Sequence, residues 1–154
     1  MAGRNPDASG THLWLVLTKA QHALEKYALR SIAGTSLCFS DFAVLEVLLH
    51  KGPLPVNMLG ATVLLTSGPS TAAIDRLEKK GLVRRAPDAK DRRARIVHLT
   101  EKGKTLISAA FREHEADMEV LTSCLSASEK TTLISLLKKL GKTATEAAEG
   151  KASL

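Results

Sequence analysis

Glycine and proline divide the middle of the chain into short segments with helical spacing. Ser40 precedes the segment FAVLEVLLHK, which stops at Gly52 and Pro53; Pro55 then opens a second segment, and Gly81 ends a third. Proline suits the first turn of a helix and glycine suits its C-terminus. Three helices of roughly ten residues joined by short connections indicate a tri-helical helix-turn-helix core. Ser40 is the predicted N-cap of the first.

The periodicity changes after Gly81. The segments LVRRA and RRARIVHLT are short and rich in β-branched or alternating residues, and the turn-forming APDAKD separates them. This pattern predicts a two-stranded hairpin. A hairpin alone is only marginally stable, so we expect it to pack against the helices. The chain is therefore predicted to be mainly α-helical with a small β-hairpin wing.

Long amphipathic helices are predicted at both ends of this core. Apolar residues recur at steps of three and four from Thr11 to Ile32, Thr100 can cap a long helix, and Ser126 with Glu129 forms a capping box for the last one. Their apolar stripes can pack on the core or on a second copy of the chain. We favour dimerisation, because the stripes are longer than one small core needs.

The positive charge is concentrated at the end of the third central helix and in the hairpin. Lys79 to Arg95 contains eight basic residues against Asp88 and Asp91, which equals the whole formal charge of +6. Such a cluster is typical of a surface that binds a polyanion. Aromatic residues make up only 3% of the chain, which argues against a single-strand binder that stacks bases. The expected partner is double-stranded DNA.

Other classes of protein are disfavoured by the sequence. There is no run of about 18 apolar residues and no secretion signal, so we expect no membrane partner and a cytoplasmic location. Cys38 and Cys124 lie far apart and fit neither a disulfide framework nor a zinc site. Histidines occur singly and no phosphate loop is present, so we predict no enzyme activity, no cofactor and no metal site.

The helix that ends at Gly81 is the candidate for entering the DNA major groove. Helical spacing turns Ser70, Ile74 and Leu77 inward and Arg76 outward. Small residues at the start of the helix allow close approach to base edges, and its N-cap is Thr66, Ser67 or Gly68. The alternative is an ordinary solvated helix face. The residues of this helix predicted to contact DNA are Ser67, Pro69, Ser70, Thr71, Ala72 and Arg76.

The hairpin supplies the second predicted set of DNA contacts. Arg93, oriented by Asp91, can reach into a minor groove. Arg84, Arg85 and Arg95 are expected at phosphates, which position a protein without reading sequence. A solvated charge run is the alternative. The predicted contacts of the wing are Arg84, Lys90, Asp91, Arg92, Arg93 and Arg95.

Three stretches, SDFAVLEVLLHKGPLP, LLTSGPSTAAIDRLEKKGLVRR and DAKDRRARIVHLTEKG, resemble the MarR family (multiple antibiotic resistance regulators) of winged helix-turn-helix transcription factors. The resemblance implies a homodimer that binds a palindromic operator, usually as a repressor, and is released by a small aromatic or phenolic ligand or by an oxidant. It assigns the wing pair to Asp91 and Arg93 and recognition-helix contacts to Thr71 and Arg76. The family often has Thr-Arg where this chain has Thr71-Ala72, which leaves the operator sequence open.

The resemblance also predicts a domain organisation. Residues 36–103 form the DNA-binding domain, residues 11–35 and 104–148 form the dimerisation helices, and residues 1–10 and 149–154 are flexible ends.

The same resemblance suggests where an effector binds. Family ligands lie between the DNA-binding lobe and the dimer helices, so the candidate lining is Trp14, Phe42, Phe111 and His114, with core packing as the favoured alternative for each. Cys38 offers a redox alternative, although the family's peroxide sensors carry their cysteine on the first helix; a buried, unreactive thiol is favoured. A constitutive DNA-binding protein without an effector is a third possibility.

Overall fold

The computed structural model describes residues 9–63, 67–88 and 94–150. Among these it contains six α-helices and three β-strands. In chain order they are α1 (Gly10–Ile32), α2 (Phe39–Lys51), β1 (Leu54–Pro55), α3 (Val56–Thr62), α4 (Ser67–Lys79), β2 (Val83–Pro87), β3 (Arg95–Leu99), α5 (Glu101–Leu121) and α6 (Ala127–Ala148). Short 3₁₀ turns follow α1 at Ala33–Thr35 and α5 at Thr122–Cys124.

The chain divides into two compact units, Met1–Asp117 and Met118–Leu154. The first contains α1 to most of α5, and the second contains α6. The predicted division into a DNA-binding domain and dimerisation helices stays a prediction. Of the predicted flexible ends, residues 1–10 and 149–154, the structure describes only residues 9–10 and 149–150. There α1 already begins at Gly10, because the Ser9 side chain accepts a hydrogen bond from the His12 amide at 3.1 Å.

The predicted tri-helical core is present in α2, α3 and α4. Their apolar side chains meet those of the sheet and of α5 in one cluster. Fully buried members include Val44 and Leu45 of α2, Leu59 of α3, and Ile74 and Leu77 of α4. Burying a side chain of this size stabilises the fold by about 1.5–3 kcal/mol, so this cluster holds α4 in place.

The sheet has three antiparallel strands in the order β1-β3-β2, where the sequence analysis predicted two. The predicted hairpin is confirmed, with Val83 opposite Leu99 and Pro87 opposite Arg95. The strand that was missed, β1, is only two residues long and pairs with Val97 and Ile96. Two residues show no alternation, and proline is tolerated at a sheet edge because that edge needs no donor.

The start of α2 also differs from the prediction. The helix begins at Phe39 with Cys38 in the N-cap position, and no side chain caps it. Ser40, the predicted cap, instead accepts a hydrogen bond from Arg76 of α4 at 3.0 Å. The Ser40 hydroxyl therefore makes a contact with another helix and does not provide the α2 cap that the local sequence predicts.

Thr100 and Gly103 fix the start of α5 against the end of α4. The Thr100 hydroxyl donates to the Gly81 carbonyl at 2.7 Å and accepts from the Gly103 amide at 3.0 Å, so Thr100 caps α5 as predicted. A Cβ atom on Gly103 would overlap the Leu82 carbonyl oxygen. Only glycine allows this close approach of helix and strand connection. Helix α5 ends at Leu121.

Helix α6 begins at the predicted capping box. Ser126 accepts from the Glu129 amide at 3.3 Å, and the Glu129 carboxylate accepts from the Ser126 amide at 2.8 Å. The hydrogen bonds that the Glu129 carboxylate accepts from the Ser126 amide and hydroxyl lower the pKa of Glu129. Among the described residues no side chain of α6 is buried, and its apolar face lies open. That face consists of Leu133, Ile134, Leu136, Leu137 and Leu140.

No described helix taken singly has the length and apolar character needed to cross a membrane. Gly10–Thr35 and Phe39–Lys51 together have the length and apolar composition of a membrane span, and the two segments meet at an angle of 81°.

Candidate nucleic-acid interface

Helix α4 has the inward and outward faces that its sequence predicts. Ser70, Ile74 and Leu77 are buried, whereas Thr71 and Ala72 are exposed near its N-terminal end. The side chains of Ser67 and Pro69, in the first turn, lie outside the described part of the structure. The predicted DNA contact by Ser70 is corrected, because its 2% exposure keeps the hydroxyl inside the protein.

Arg76, predicted to face DNA, is instead held by a buried carboxylate of α2. The Asp41 side chain is 1% exposed, and its Oδ1 atom accepts from Arg76 Nε at 3.1 Å and Nη2 at 2.7 Å. Lys80 Nζ lies 3.3 Å from the second oxygen, Oδ2. The hydrogen bond with Asp41 is the main cause that raises the pKa of Arg76. We call Asp41, Arg76 and Lys80 the Asp41 cluster.

Sequence reasoning missed Asp41. Its separation from Arg76 by 35 positions follows no local pattern, and an acidic residue in the first turn of a helix has a local explanation in the helix dipole. A buried carboxylate without a partner is costly, so the pairing with two cations explains why the residue is tolerated there.

Arg85 is also withdrawn from the predicted phosphate contacts. Its guanidinium binds Glu78 and lies 2.5 Å from Asp75, and its amide donates to Glu78 at 3.0 Å. Burial lowers the pKa of Arg85, yet the hydrogen bonds to Asp75 and Glu78 leave it raised overall. The side chain therefore joins β2 to the exposed face of α4.

The other cations of the described interface lie at the end of α4 and along the hairpin. Lys79, Arg84 and Arg95 are exposed. The strands are closed at the outer end by a hydrogen bond of 3.2 Å from the Asp88 amide to the Ala94 carbonyl. The predicted contacts Lys90, Asp91, Arg92 and Arg93 lie outside the described residues.

Three of the four predicted effector residues lie where α2 faces α5. The rings of Phe42 and His114 are 5.1 Å apart, and those of His50 and Phe111 are 4.6 Å apart, both edge to face. His114 Nδ1 also lies 2.6 Å from the Ser31 hydroxyl of α1. Sequence reasoning missed Ser31 and His50, because neither belongs to a motif.

Trp14 does not join these ring contacts within the described structure. Its side chain is 69% exposed in the first half of α1, so the favoured interpretation as a core residue is wrong. Helical spacing places it on an apolar stripe, but that spacing does not say whether the chain itself covers the stripe.

Both cysteines are exposed, which corrects the favoured interpretation of buried thiols. The Cys38 sulfur lies 3.3 Å from Arg76 Nη2 and 3.2 Å from the Ser40 hydroxyl. Cys38 therefore borders the Asp41 cluster.

Comparison with known proteins agrees with this architecture. A model of the MarR family matches residues 37–94. The HTH-type transcriptional regulator MhqR of Bacillus subtilis is 36% identical over 129 residues, which are 84% of this chain and 89% of MhqR. A mutant of MarR from E. coli, solved in complex with operator DNA, aligns with a TM-score of 0.76 at 25% identity over 83% of this chain and 92% of that one.

A third protein shares the fold at lower identity. The organohalide-sensing regulator RdhR, solved with 2,4-dichlorophenol, has a TM-score of 0.78 at 21% identity over 96% of this chain and 89% of that one. Taken with the exposed helix α4 and the adjoining hairpin, the identity with MhqR leads to one conclusion. The chain belongs to the MarR family and is a DNA-binding transcriptional regulator with a winged helix-turn-helix fold.

Proposed function

We propose that the protein is a homodimeric repressor that binds a palindromic operator and releases it when a small aromatic or phenolic ligand binds. The observation that carries the DNA-binding mode is the exposed start of α4, with Thr71 and Ala72, next to a hairpin that carries exposed Arg84 and Arg95. Small exposed residues let a helix lie deep in a major groove while neighbouring cations meet the phosphates.

Within this proposal α4 and the hairpin have separate tasks. Thr71 and Ala72, together with Ser67 and Pro69 of the first turn, approach base edges. Arg84 and Arg95 contact the sugar-phosphate backbone and set the position of the protein on the duplex. The base sequence is then read by a nearly uncharged surface, while affinity comes from the charged one.

The four residues outside the described part of the hairpin carry a separate proposal. Arg93, oriented by Asp91, enters a minor groove, and Lys90 and Arg92 add positive charge beside it. Replacing Arg93 by Ala is expected to cost about 1–3 kcal/mol of operator affinity. Lys138→Ala, on α6, is the control that changes the same charge elsewhere. Equal operator affinities for Arg93→Ala and the native protein at matched salt would contradict the assignment.

The proposed dimer rests on the two apolar faces of α1 and α6. Leu13, Trp14 and Val16 of α1 are 49–69% exposed, and the apolar residues on the open face of α6 are 40–58% exposed. Exposed apolar area of this extent marks a surface that another protein covers. A second copy related by two-fold symmetry covers the apolar faces of both chains. The same symmetry requires two equivalent half-sites in the DNA, so the operator is palindromic.

The proposed effector site includes the ring contacts between α2 and α5. Phe42, Phe111 and His114 offer aromatic edges, and the His114–Ser31 contact offers polar atoms that suit a phenolic hydroxyl. The fold accommodates such a ligand in RdhR, which was solved with 2,4-dichlorophenol. A thermal-shift screen of phenols, followed by operator release with each hit, tests the site; stabilisation alone does not establish release.

The DNA-binding proposal is tested by selecting a duplex from a random pool and measuring its affinity at several salt concentrations. We expect a palindromic sequence and a steep linear fall of log affinity with log salt, because phosphate contacts release counterions. A flat dependence would contradict the interface. Selection of non-palindromic sequences would contradict the symmetric dimer.

Cys38 supports a second candidate, a redox-sensing regulator. Cys38 is exposed, and its sulfur lies 3.3 Å from Nη2 of Arg76, a residue of the recognition helix α4. Peroxide would then release DNA from the native protein and from Cys124→Ser but not from Cys38→Ser. If neither phenols nor peroxide release the operator, the protein is a constitutive binder.

A further inference from the structure

We propose that Asp41 is a positioning residue for DNA binding, which fixes the recognition helix α4 to the start of α2 through Arg76 and Lys80. The proposal rests on the proposed role of α4 at the DNA. It assigns the charges of Arg76 and Lys80 to Asp41 and not to DNA phosphates, although Lys80 belongs to the basic cluster and Arg76 lies one turn before Lys80.

The geometry of the Asp41 cluster suits a fixed joint. Arg76 and Lys80 are one helical turn apart on α4, and they bind different oxygens of the same carboxylate, at 2.7 Å and 3.3 Å. The carboxylate is 1% exposed, while each cationic side chain is 43% exposed. Two attachments at successive turns oppose both rotation of α4 about its axis and sliding along it.

The same cluster connects α4 to the segment that follows α1. Lys80 Nζ donates to the Ser36 carbonyl at 3.3 Å, and Arg76 Nη2 donates to the Ser40 hydroxyl at 3.0 Å. Ser36 has a left-handed backbone, with φ of 55°, and directly follows the 3₁₀ turn at the end of α1. A displacement at the end of α1 therefore moves the groups that hold α4, which is a physical route from the N-terminal helix to the DNA-reading helix.

The pairing in the Asp41 cluster predicts how operator affinity depends on salt. A cation that is already paired with a buried carboxylate does not replace a counterion on DNA, whereas an exposed cation at a phosphate does. Arg76 and Arg84 are both arginines close to α4, but the described residues include a buried acidic partner only for Arg76. Loss of Arg76 is therefore expected to lower affinity without changing the salt slope.

The experiment compares Arg76→Gln, Asp41→Asn, the double variant Asp41→Asn/Arg76→Gln and the matched control Arg84→Gln on the selected operator. Arg76→Gln should weaken binding on the order of 10-fold with an unchanged slope. Arg84→Gln should weaken binding and reduce the slope by about 1. The double variant should bind within about threefold of the native protein, because the two introduced amides can hydrogen-bond across the same joint and no unpaired buried carboxylate is left.

Two results would overturn the proposal. One is a fall in slope for Arg76→Gln equal to that for Arg84→Gln; the other is a double variant that binds no better than Arg76→Gln. Circular dichroism checks folding at the working temperature. If Arg76→Gln does not fold, the double variant is compared with the native protein, and a lower slope refutes the proposal. An Arg84→Gln variant that changes neither affinity nor slope counts against the proposed DNA interface and leaves the Asp41 assignment to the rescue result.

Discussion

The lobe from α2 to β3 and the helix α6 are both amphipathic by sequence, yet only the lobe covers its own apolar side chains. Leu45, Leu59 and Ile74 are 0% exposed, whereas the five apolar residues on the open face of α6 are 40–58% exposed. The periodic signal is the same in both regions. It shows that a face will be covered, but not whether the covering surface belongs to the same chain.

This difference separates what local chemistry decides from what assembly decides. The capping box of Ser126 and Glu129 fixes where α6 begins, without help from any other element. No residue within α6, which the structure describes in full, covers the apolar face of the same helix. An exposed apolar face of this extent marks a surface that another protein covers, so we assign the fold to the lobe and the proposed dimer contact to α6.

The largest effect is expected from placing charge on the open face of α6. Leu133→Lys/Leu137→Lys should convert the proposed dimer to monomers, because lysine side chains oppose burial of that face. Operator affinity should then fall at least about 100-fold, since one half-site no longer assists the other. Sedimentation and operator titration measure the two effects. Ser135→Lys, on the same helix, controls for added charge; an intact dimer in the double variant would contradict the assignment.

A smaller effect, on the free energy of unfolding, is expected when glycine is replaced by alanine. Its sign should differ between the start of α5 and helix α6. Gly103→Ala should lower the free energy of unfolding by about 1–3 kcal/mol, because the added methyl overlaps the Leu82 carbonyl. Gly141→Ala, where no atom lies within 4 Å of the added methyl, should raise helix stability by up to about 1 kcal/mol. Thermal or urea unfolding measures both. Equal effects at the two positions would remove the structural distinction.

The smallest effect is expected at the start of α6. Ser126→Ala should cost about 1 kcal/mol of helix stability through loss of the N-cap. The pKa of Glu129 is lowered in the folded state, so its stabilising contribution is present above the ordinary glutamate pKa and is lost as pH falls through the lowered value. Helicity measured against pH should show this acid loss in the native protein and less of it in Ser126→Ala. Identical profiles would contradict the capping role.

Sequence predicted most of the elements, and the failures share a physical cause. The inward face of α4 and the capping box depend on residues within one or two helical turns of each other, and the hairpin depends on alternating segments on either side of a turn-forming stretch. Strand β1 is too short to show a pattern. Asp41 pairs with Arg76 across 35 positions, and Arg85 pairs with Asp75 across 10, so the fold alone brings these charges together.

The predicted DNA surface changes for the same reason. Helical spacing places Arg76 on the outward face of α4 and the basic cluster contains Arg85, so the sequence assigns both to DNA, although buried or neighbouring carboxylates hold both. Thr71, Ala72 and Arg84 remain in the proposed interface, because the structure leaves them exposed, as helical and strand spacing predicts.

The most direct test of the division between a self-contained lobe and an open α6 is the mass of the native protein in solution. Sedimentation equilibrium at micromolar concentration should give twice the chain mass of 16.5 kDa. A single species of 16.5 kDa under these conditions would contradict the account, because the apolar faces of α1 and α6 would then have no second copy to cover them.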